Sequence, residues 1–271
     1  MPKQRVIVIT GASSGIGKAI AEQLSEQGDR VYALARSLTD SESDSESNMQ
    51  SRQLDVRDPD AVNRVLSAII QLEKRIDILI LAAGFGLAGA VEAMTPYEAQ
   101  SQMATNFLGV CHVLSPVLRQ MREQKSGSVI QIGSVAGFLP IPYQACYSAS
   151  KAAVSALMKA TANEMKPHGI QCMVVQPGDT RTGFTDARVI SPATANLPDA
   201  DRCLRSIERM AADERKGLSA DQMAQLIIRR LNRRKIPIQY TPGCLYRLAW
   251  FLNRLLPVRV IQRILYEMYA R

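Results

Sequence analysis

The sequence predicts an α/β fold of the doubly wound type, in which helices cover both faces of a seven-stranded parallel sheet. Two observations predict it. Short apolar runs rich in β-branched residues alternate along the chain with longer segments of helical periodicity. The first apolar run leads directly into a glycine-rich turn and a helical segment. With 271 residues the chain can bury one sizeable core, so we expect one domain.

The periodicity assigns the individual elements. The apolar runs predict strands at 5–10, 30–35, 51–54, 76–81, 127–132, 170–175 and 236–239. The longer amphipathic segments predict helices at 15–28, 59–73, 96–123, 147–166 and 219–232. The segment 37–51 is too acidic and serine-rich to bury apolar surface, so we expect a solvated loop there.

Composition argues against several kinds of site. Five cysteines are spread along the chain without a CxxC pair or a histidine at ligand spacing, so we expect neither disulfides nor a metal site. The first apolar run is too short for a signal peptide, and no run could span a membrane, so we expect a cytoplasmic protein. The net charge is +8, but the basic residues concentrate after residue 228, which argues against a nucleic-acid partner.

The glycine-rich turn after the first predicted strand points to nucleotide binding. Glycines let the backbone turn tightly and approach a pyrophosphate, whose charge is stabilised by the N–H groups and dipole of the following helix. A plain strand-to-helix turn is the alternative, and the flanking strand and helix argue against it. The residues expected to bind the dinucleotide here are Gly11, Ser13, Ser14, Gly15, Ile16 and Gly17.

The end of the second predicted strand indicates which dinucleotide is bound. Ala35 offers no carboxylate to the ribose 2′-OH of NAD, whereas Arg36 can pair with the 2′-phosphate of NADP. An arginine on a solvated loop is the alternative. After the third strand, Asp55 and Val56 stand where an acid could hold an adenine amino group, although Asp55 could instead cap a turn. The predicted cofactor is NADP(H).

A tyrosine and a lysine at the head of a predicted helix form the best chemical signal. Tyr147 and Lys151 lie four residues apart and therefore share a helix face, so the ammonium can stabilise a phenolate. Lowering a tyrosine pKa from ~10 toward ~7 takes about 4 kcal/mol of differential stabilisation. The strand at 127–132 brings Ser134 to the sheet edge where ligands bind in open α/β sheets. Taken alone, the tyrosine–lysine spacing also fits an ordinary helix surface.

Together these motifs resemble the short-chain dehydrogenase/reductase family, which has a Rossmann-type fold, over residues 4–240. The Thr-Gly-x-x-x-Gly-x-Gly, Asn, Ser, Tyr-x-x-x-Lys and Pro-Gly elements stand in the family's order. The resemblance implies that Tyr147 is the general acid/base and that Ser134 hydrogen-bonds the reacting oxygen. It implies that Lys151 binds the nicotinamide ribose and lowers the tyrosine pKa, and that Asn106 supports a water-linked proton relay to Lys151.

The resemblance adds further cofactor residues and shows two departures. The cofactor residues it implies are Ala82, Ala83, Gly84, Tyr147, Lys151, Pro177, Gly178 and Thr180. The family often has Asn-Asn-Ala-Gly where this chain has Leu-Ala-Ala-Gly at 81–84, which removes amides that brace the sheet. The loop at 37–51 replaces a helix, and its acids would weaken NADP binding unless they point outward.

The implied activity is hydride transfer between nicotinamide and a carbonyl or alcohol. Candidate pocket segments lie at 85–89, 137–143 and 183–217. Because the first two are largely apolar and lack a charged anchor, we expect a hydrophobic ketone or aldehyde. The family includes enzymes for steroids, retinoids, acyl ketones and 3-ketosphinganine, and the residues do not choose among them. A non-catalytic NADP(H)-binding sensor or scaffold is the alternative, against which the retained Ser134, Tyr147 and Lys151 argue.

The resemblance also implies a homodimer or homotetramer, assembled through the helices at 96–123 and 147–166. The small and apolar residues Ala152, Ala153, Ala156 and Leu157 permit such packing and equally suit an internal core.

Residues 242–271 read as a basic amphipathic extension of the catalytic body at 1–241. Apolar residues at helical spacing lie on both sides of Pro257, which predicts two short amphipathic helices. Bordering arginines could hold such a segment on an anionic membrane surface, each contributing about 1 kcal/mol. The segment could equally fold over the cleft or a subunit interface, and the sequence leaves both alternatives open. The arginines are Arg247, Arg254, Arg259 and Arg263.

Overall fold

A seven-stranded parallel sheet forms the centre of the molecule, as the sequence predicts. The computed structural model describes residues 4–41 and 47–271. The strands are β1 (Val6–Thr10), β2 (Arg30–Ala35), β3 (Met49–Gln53), β4 (Ile78–Leu81), β5 (Gly127–Ile132), β6 (Ile170–Val175) and β7 (Gln239–Tyr240). Their spatial order is β7-β6-β5-β4-β1-β2-β3, and every neighbouring pair is parallel. The order reverses between β1 and β4, which places a ligand crevice at their carboxyl ends.

Helices cover both faces of this sheet. They are α1 (Gly15–Glu26), α2 (Pro59–Glu73), α3 (Pro96–Met103), α4 (Gly109–Gln124), α5 (Ala145–Met165), α6 (Ala200–Lys216), α7 (Ala220–Leu231), α8 (Cys244–Leu255) and α9 (Val258–Tyr269). The single helix predicted at 96–123 is α3 and α4, joined through a π-helical turn at Ala104–Leu108. Helix α6 was not predicted from the sequence, because more than half of its residues are charged and only four are buried.

Alternating side chains of each strand enter two separate cores. Val6 and Val8 of β1 pack with apolar residues of α2, α4 and α5 on one face. Ile7 and Ile9 pack with α1 and α7 on the other face. Because both faces are covered, the strand reads as one continuous apolar run.

Local sequence signals begin several helices. Asp58 caps α2 by accepting hydrogen bonds from Asp60 N and Ala61 N. Thr95 and Glu98 form a capping box at the start of α3. Such caps satisfy backbone N–H groups that have no partner within the helix.

The predicted acidic loop is partly described. Residues 42–46, which carry most of its acids, lie outside the described residues. The described part is tied to β3, since Gln53 N donates to Asp40 Oδ1 at 2.7 Å and Ser41 N donates to Ser51 O at 3.0 Å. The exposed Asp40 carboxylate therefore accepts a hydrogen bond from the backbone of β3.

The C-terminal extension forms two helices on either side of Pro257, as predicted. In α9, Ile261 and Leu265 are buried, and α6 holds the last turn because Arg202 Nε donates to Ala270 O at 2.5 Å. The α8 residue Tyr246 hydrogen-bonds Asp179, which follows β6. The extension therefore packs on the body in this structure, while its outer face stays exposed. Its division from the body at residue 241 stays a prediction.

Two further predictions concern association. In the two described ranges, every helix is too short or too polar to span a bilayer. Ala152 and Ala156 are exposed on α5, so the face expected to form a dimer or tetramer is accessible. The oligomeric state stays a prediction.

Candidate functional site

The carboxyl ends of the central strands open into one cleft of about 620 Å³. The cleft runs from the glycine loop after β1 to α6. Every residue expected to bind the cofactor lines it, and so does Ser134. These residues are Gly11, Ser13, Ser14, Gly15, Ile16, Gly17, Arg36, Asp55, Val56, Ala82, Ala83, Gly84, Ser134, Tyr147, Lys151, Pro177, Gly178 and Thr180. Asn106 does not line the cleft and lies behind it.

The glycine loop has the shape that a pyrophosphate requires. Gly11 and Gly15 have φ angles of 70° and 55°, which favour glycine. A Cβ on Gly17 would lie 2.4 Å from Gly11 O, so the loop also needs glycine at that position to close. Ser14 caps α1 without a side-chain hydrogen bond among the described residues, and the first turn of α1 contains no acid. The loop therefore fits a phosphate group bound by backbone N–H groups.

Two arginines border the nucleotide end of the cleft. Arg36 follows β2 and is exposed at the cleft edge. Arg57, which the sequence analysis did not single out, binds Asp55 with an Nη2–Oδ2 distance of 2.6 Å and holds the pKa of that carboxyl below its usual value. Arg57 N also donates to Asp55 Oδ1 at 3.0 Å. Asp55 thus makes the turn contact that was one of its two predicted roles.

Tyr147 and Lys151 are both buried on α5 at the centre of the cleft. Lys151 Nζ donates to Ile132 O at 3.0 Å and lies 5.7 Å from the Tyr147 ring centroid. Burial raises the pKa of Tyr147 to about 12, against an opposing effect of the Ser134 hydroxyl. Burial lowers the pKa of Lys151 to about 8. Desolvation is the largest of these effects on Tyr147, and the lowering of the tyrosine pKa by Lys151 and a bound nicotinamide stays a prediction.

Asn106 fixes the backbone beside α5. Its Nδ2 donates to Phe85 O and to Ser150 Oγ, each at 3.1 Å, and its Oδ1 accepts from Phe85 N at 3.1 Å. A Cβ on Gly84 would lie 3.1 Å from Asn106 Oδ1 and 3.7 Å from Lys151 Nζ, so the three residues are neighbours. Both amide hydrogens of Asn106 are thus used, and two of its three hydrogen bonds hold the backbone of Phe85. The proton relay to Lys151 stays a prediction.

The structure adds residues that sequence reasoning missed at the other end of the cleft. The Phe184 and Tyr147 ring centroids lie 5.6 Å apart. Glu214 of α6 lines the cleft and pairs with the buried Arg188, and Thr185 Oγ1 donates to Glu214 Oε2 at 2.6 Å. Phe184 and Glu214 belong to the third candidate pocket segment, 183–217, for which no individual residue was predicted. No spacing signal links Arg188 to Glu214, because they are 26 residues apart and meet only through tertiary packing.

The buried lysine makes stability depend on pH. Unfolded Lys151 has a pKa of 10.5, and burial lowers the folded value to about 8. Between these values only the unfolded state binds the proton, so stability rises with pH through this window. Relative to a Lys151→Met variant, the wild type should gain on the order of 3 kcal/mol of unfolding free energy between pH 8 and pH 10.5.

Urea unfolding of cofactor-free protein at a series of pH values measures this gain. Loss of the hydrogen bond to Ile132 O adds an offset that does not depend on pH. Lys159→Met, on the exposed side of the same helix, is the matched control and should track the wild type. A difference between wild type and Lys151→Met that stays constant across the window would contradict the burial of this ammonium.

Comparison with known proteins assigns the chain to a family. The family model described as short chain dehydrogenase matches residues 5–191. The chain is 38% identical over 268 residues to the 3-ketodihydrosphingosine reductase of Bacteroides thetaiotaomicron, covering 98% of both proteins. A solved short-chain dehydrogenase from Streptomyces avermitilis is 27% identical with a TM-score of 0.84, covering 100% of this chain and 98% of that one.

A more distant structure shows likeness of fold alone. The alcohol dehydrogenase of the archaeon Thermococcus sibiricus, solved with 5-hydroxy-NADP, is 22% identical with a TM-score of 0.72, and the match covers 90% of this chain and 98% of that one. The extent of the family match and the near full-length relative decide the assignment. The chain belongs to the short-chain dehydrogenase/reductase family of oxidoreductases.

Proposed function

We propose that the protein is an NADPH-dependent reductase of a long-chain 3-ketone of the sphingoid-base type, producing the corresponding alcohol. The observation that carries the proposal is the buried Tyr147, which lies with Lys151 and Ser134 in the same cleft as the glycine loop after β1. The similarity to a 3-ketodihydrosphingosine reductase over nearly the whole chain supports the substrate class. Apolar side chains at the far end of the cleft, among them Phe85, Ile141 and Phe184, suit an alkyl chain.

Residues at the nucleotide end support NADP(H) as the cofactor. The glycine loop and the N-terminus of α1 would hold the pyrophosphate, and Arg36 would pair with the 2′-phosphate. Arg57 supplies a second cation at the same edge. When bound, the cofactor supplies the hydride that adds to the carbonyl carbon.

The protein's own residues would then manage the proton. The raised pKa keeps the Tyr147 phenol protonated at neutral pH, so it can donate its proton to the carbonyl oxygen as the alcohol forms. Ser134 Oγ accepts from Ala136 N at 3.1 Å, and its hydroxyl hydrogen, which otherwise serves Tyr147, would turn to the same oxygen. Lys151, with a pKa of about 8, can exchange protons near neutral pH and stabilise the phenolate.

Tyr147→Phe should lose turnover while keeping NADPH affinity, because only the exchangeable proton is removed. We expect a decrease in kcat of about 10²–10⁴-fold with 3-ketosphinganine, followed by nicotinamide absorbance. Tyr97→Phe, on the exposed surface, is the matched control and should match the wild type. Substantial turnover by Tyr147→Phe would require another proton donor. A wild type that binds NADPH and reduces no ketone would favour a non-catalytic sensor.

Cofactor preference should depend on Arg36. Replacing Ala35 with Asp and Arg36 with Ile removes the partner of the 2′-phosphate and adds a carboxylate for a 2′-OH. Losing a hydrogen bond between charged groups should weaken NADPH binding about 10- to 100-fold while NADH binding improves. Fluorescence titration with both cofactors measures the change, with Arg119→Ile on the surface of α4 as control. Equal affinity of the wild type for NADPH and NADH would contradict the role of Arg36.

We further propose that the outer face of α8 and α9 docks on an anionic lipid surface. Leu248, Phe251 and Leu255 are exposed along one side of α8, and Val258 and Ile264 continue the apolar face on α9. Arginines border this face, and Glu267 is the only acid between residues 244 and 271. An exposed apolar face with basic borders complements anionic headgroups over an acyl region.

Vesicle sedimentation tests the docking surface. The wild type should sediment with phosphatidylglycerol vesicles more than with phosphatidylcholine vesicles, and Phe251→Ser with Leu255→Ser should reduce binding. Leu72→Ser, on the exposed surface of α2, is the matched control and should leave binding unchanged. Protein that stays in the supernatant with both lipids would contradict the proposal. A drop in oligomer mass in the same double variant would assign this face to contacts between copies.

A further inference from the structure

A buried ion pair closes the substrate end of the cleft. The Arg188 side chain is 3% exposed and the Glu214 side chain 19%, and Arg188 Nη2 binds Glu214 Oε1. Thr185 Oγ1 donates to Glu214 Oε2 at 2.6 Å. Glu214 itself lines the cleft that contains Tyr147. The pair therefore presents a carboxylate to whatever occupies the substrate end.

This pair is a costly way to stabilise a fold. Burying two charges carries a desolvation cost that their attraction often fails to exceed. Arg188 Nε and Nη1 are also buried without a hydrogen-bond partner among the residues the structure describes, which adds to the cost. Apolar side chains of similar volume would hold these two segments together at least as well. The arrangement thus indicates a functional role for the carboxylate.

The carboxylate of Glu214 keeps binding capacity toward the cleft. A carboxylate offers about four acceptor positions, and Arg188 and Thr185 take one on each oxygen. Burial is the main cause of the raised pKa of Tyr147, and the charge of Glu214 adds to it. Glu214 lines the same cleft as Tyr147, so it can meet a group attached beside the reacting carbonyl.

The surrounding charges favour a cation over an anion. Two acids, Asp179 and Glu214, are among the residues that line the cleft here, whereas Arg188 is not among them. The chain as a whole carries a net charge of +8, which makes an acidic wall a local feature. An ammonium would be attracted to this wall, whereas a carboxylate or phosphate would be repelled.

We propose that Glu214 binds the ammonium group of a 2-amino-3-ketone, with Arg188 and Thr185 as positioning residues that hold its carboxylate toward the cleft. This assignment rests on the proposed function and narrows it, since it selects an amino ketone over an acyl ketone without an amine. The alkyl chain would extend toward the apolar side chains of the cleft. Glu214 would discriminate between substrates and take no part in proton or hydride transfer.

The test compares 3-ketosphinganine with its N-acetyl derivative, which keeps the alkyl chain and the ketone but lacks the ammonium. The wild type should prefer the free amine by about 10- to 100-fold in kcat/KM, the range of one charge-assisted contact. In Glu214→Gln the amide oxygen can still accept from Arg188 and the amide NH2 can donate to Thr185 Oγ1, so the fold should be kept. Its KM for the free amine should rise about tenfold or more beyond any rise for the N-acetyl derivative.

The control uses a neighbouring ion pair that is exposed. Arg215 follows Glu214 on α6 and pairs with Asp186 at 2.9 Å, with both side chains largely exposed. Arg215→Gln should leave the substrate preference and the thermal midpoint unchanged. Arg188→Lys keeps the positive charge but changes the geometry, so it should lose part of the preference without losing NADPH affinity.

The outcomes separate this inference from the proposed function. If the wild type reduces neither ketone, the proposed function fails. If it reduces both with equal kcat/KM, the proposed function stands and the role of Glu214 is overturned. The role is also overturned if Glu214→Gln lowers both activities in parallel with the thermal midpoint, because the pair would then only brace α6 against the segment that contains Arg188.

Discussion

Desolvation of Tyr147 and Lys151 is the constraint around which the cleft is arranged. Both side chains ionise readily in water, and both lie on the buried face of α5. The lysine is kept in place by the carbonyl of Ile132 at the end of β5, a contact that exists only if α5 crosses the sheet at that point. The tyrosine has Phe184 on one side and the Ser134 turn near its hydroxyl. The positions of α5, β5 and the turn after it therefore have to provide hydrogen-bond partners for two polar side chains that are buried from water.

Much of this arrangement follows from local sequence. Parallel strands buried on both faces must be apolar throughout, so β1, β4, β5 and β6 can be recognised from composition, and their boundaries differ from the predictions by no more than two residues. The glycine loop can be predicted equally well, because the left-handed φ of Gly11 and the close approach of Gly17 to the backbone of Gly11 allow few other residues. These features depend on residues that are close together in the sequence, so they can be predicted from it.

The remainder depends on contacts between distant segments. Asn106 reads as an ordinary helix residue until the π-helical turn directs its amide to Phe85. Helix α6 has buried Cys203, Ile207 and Met210 at helical spacing, but that spacing does not show that the helix brings Glu214 to the cleft. The burial of the Tyr147 phenol also depends on the folded structure, since spacing shows the nearby lysine but not the loss of water around the hydroxyl. Each case is a tertiary effect with no local signature.

Charge is divided between two surfaces of opposite character. The outer side of α8 and α9 is basic and apolar, whereas the cleft is lined near this extension by Asp179 and Glu214. On the extension, Tyr246 hydrogen-bonds Asp179, while Leu248 and Phe251 are exposed on the outer side. A net charge of +8 for the chain is thus compatible with two acids in the lining of the cleft.

The contact between Tyr246 and the turn after β6 restricts how this protein can diverge. A Cβ placed on Gly178 would lie 2.2 Å from the Tyr246 ring, inside its van der Waals surface. The same ring hydroxyl bonds Asp179 at 2.5 Å. A side chain at position 178 and an aromatic ring at position 246 are therefore mutually exclusive as long as α8 keeps its place. A sequence that keeps both α8 and an aromatic ring at position 246 must therefore keep glycine at position 178, whatever that glycine also does in the cleft.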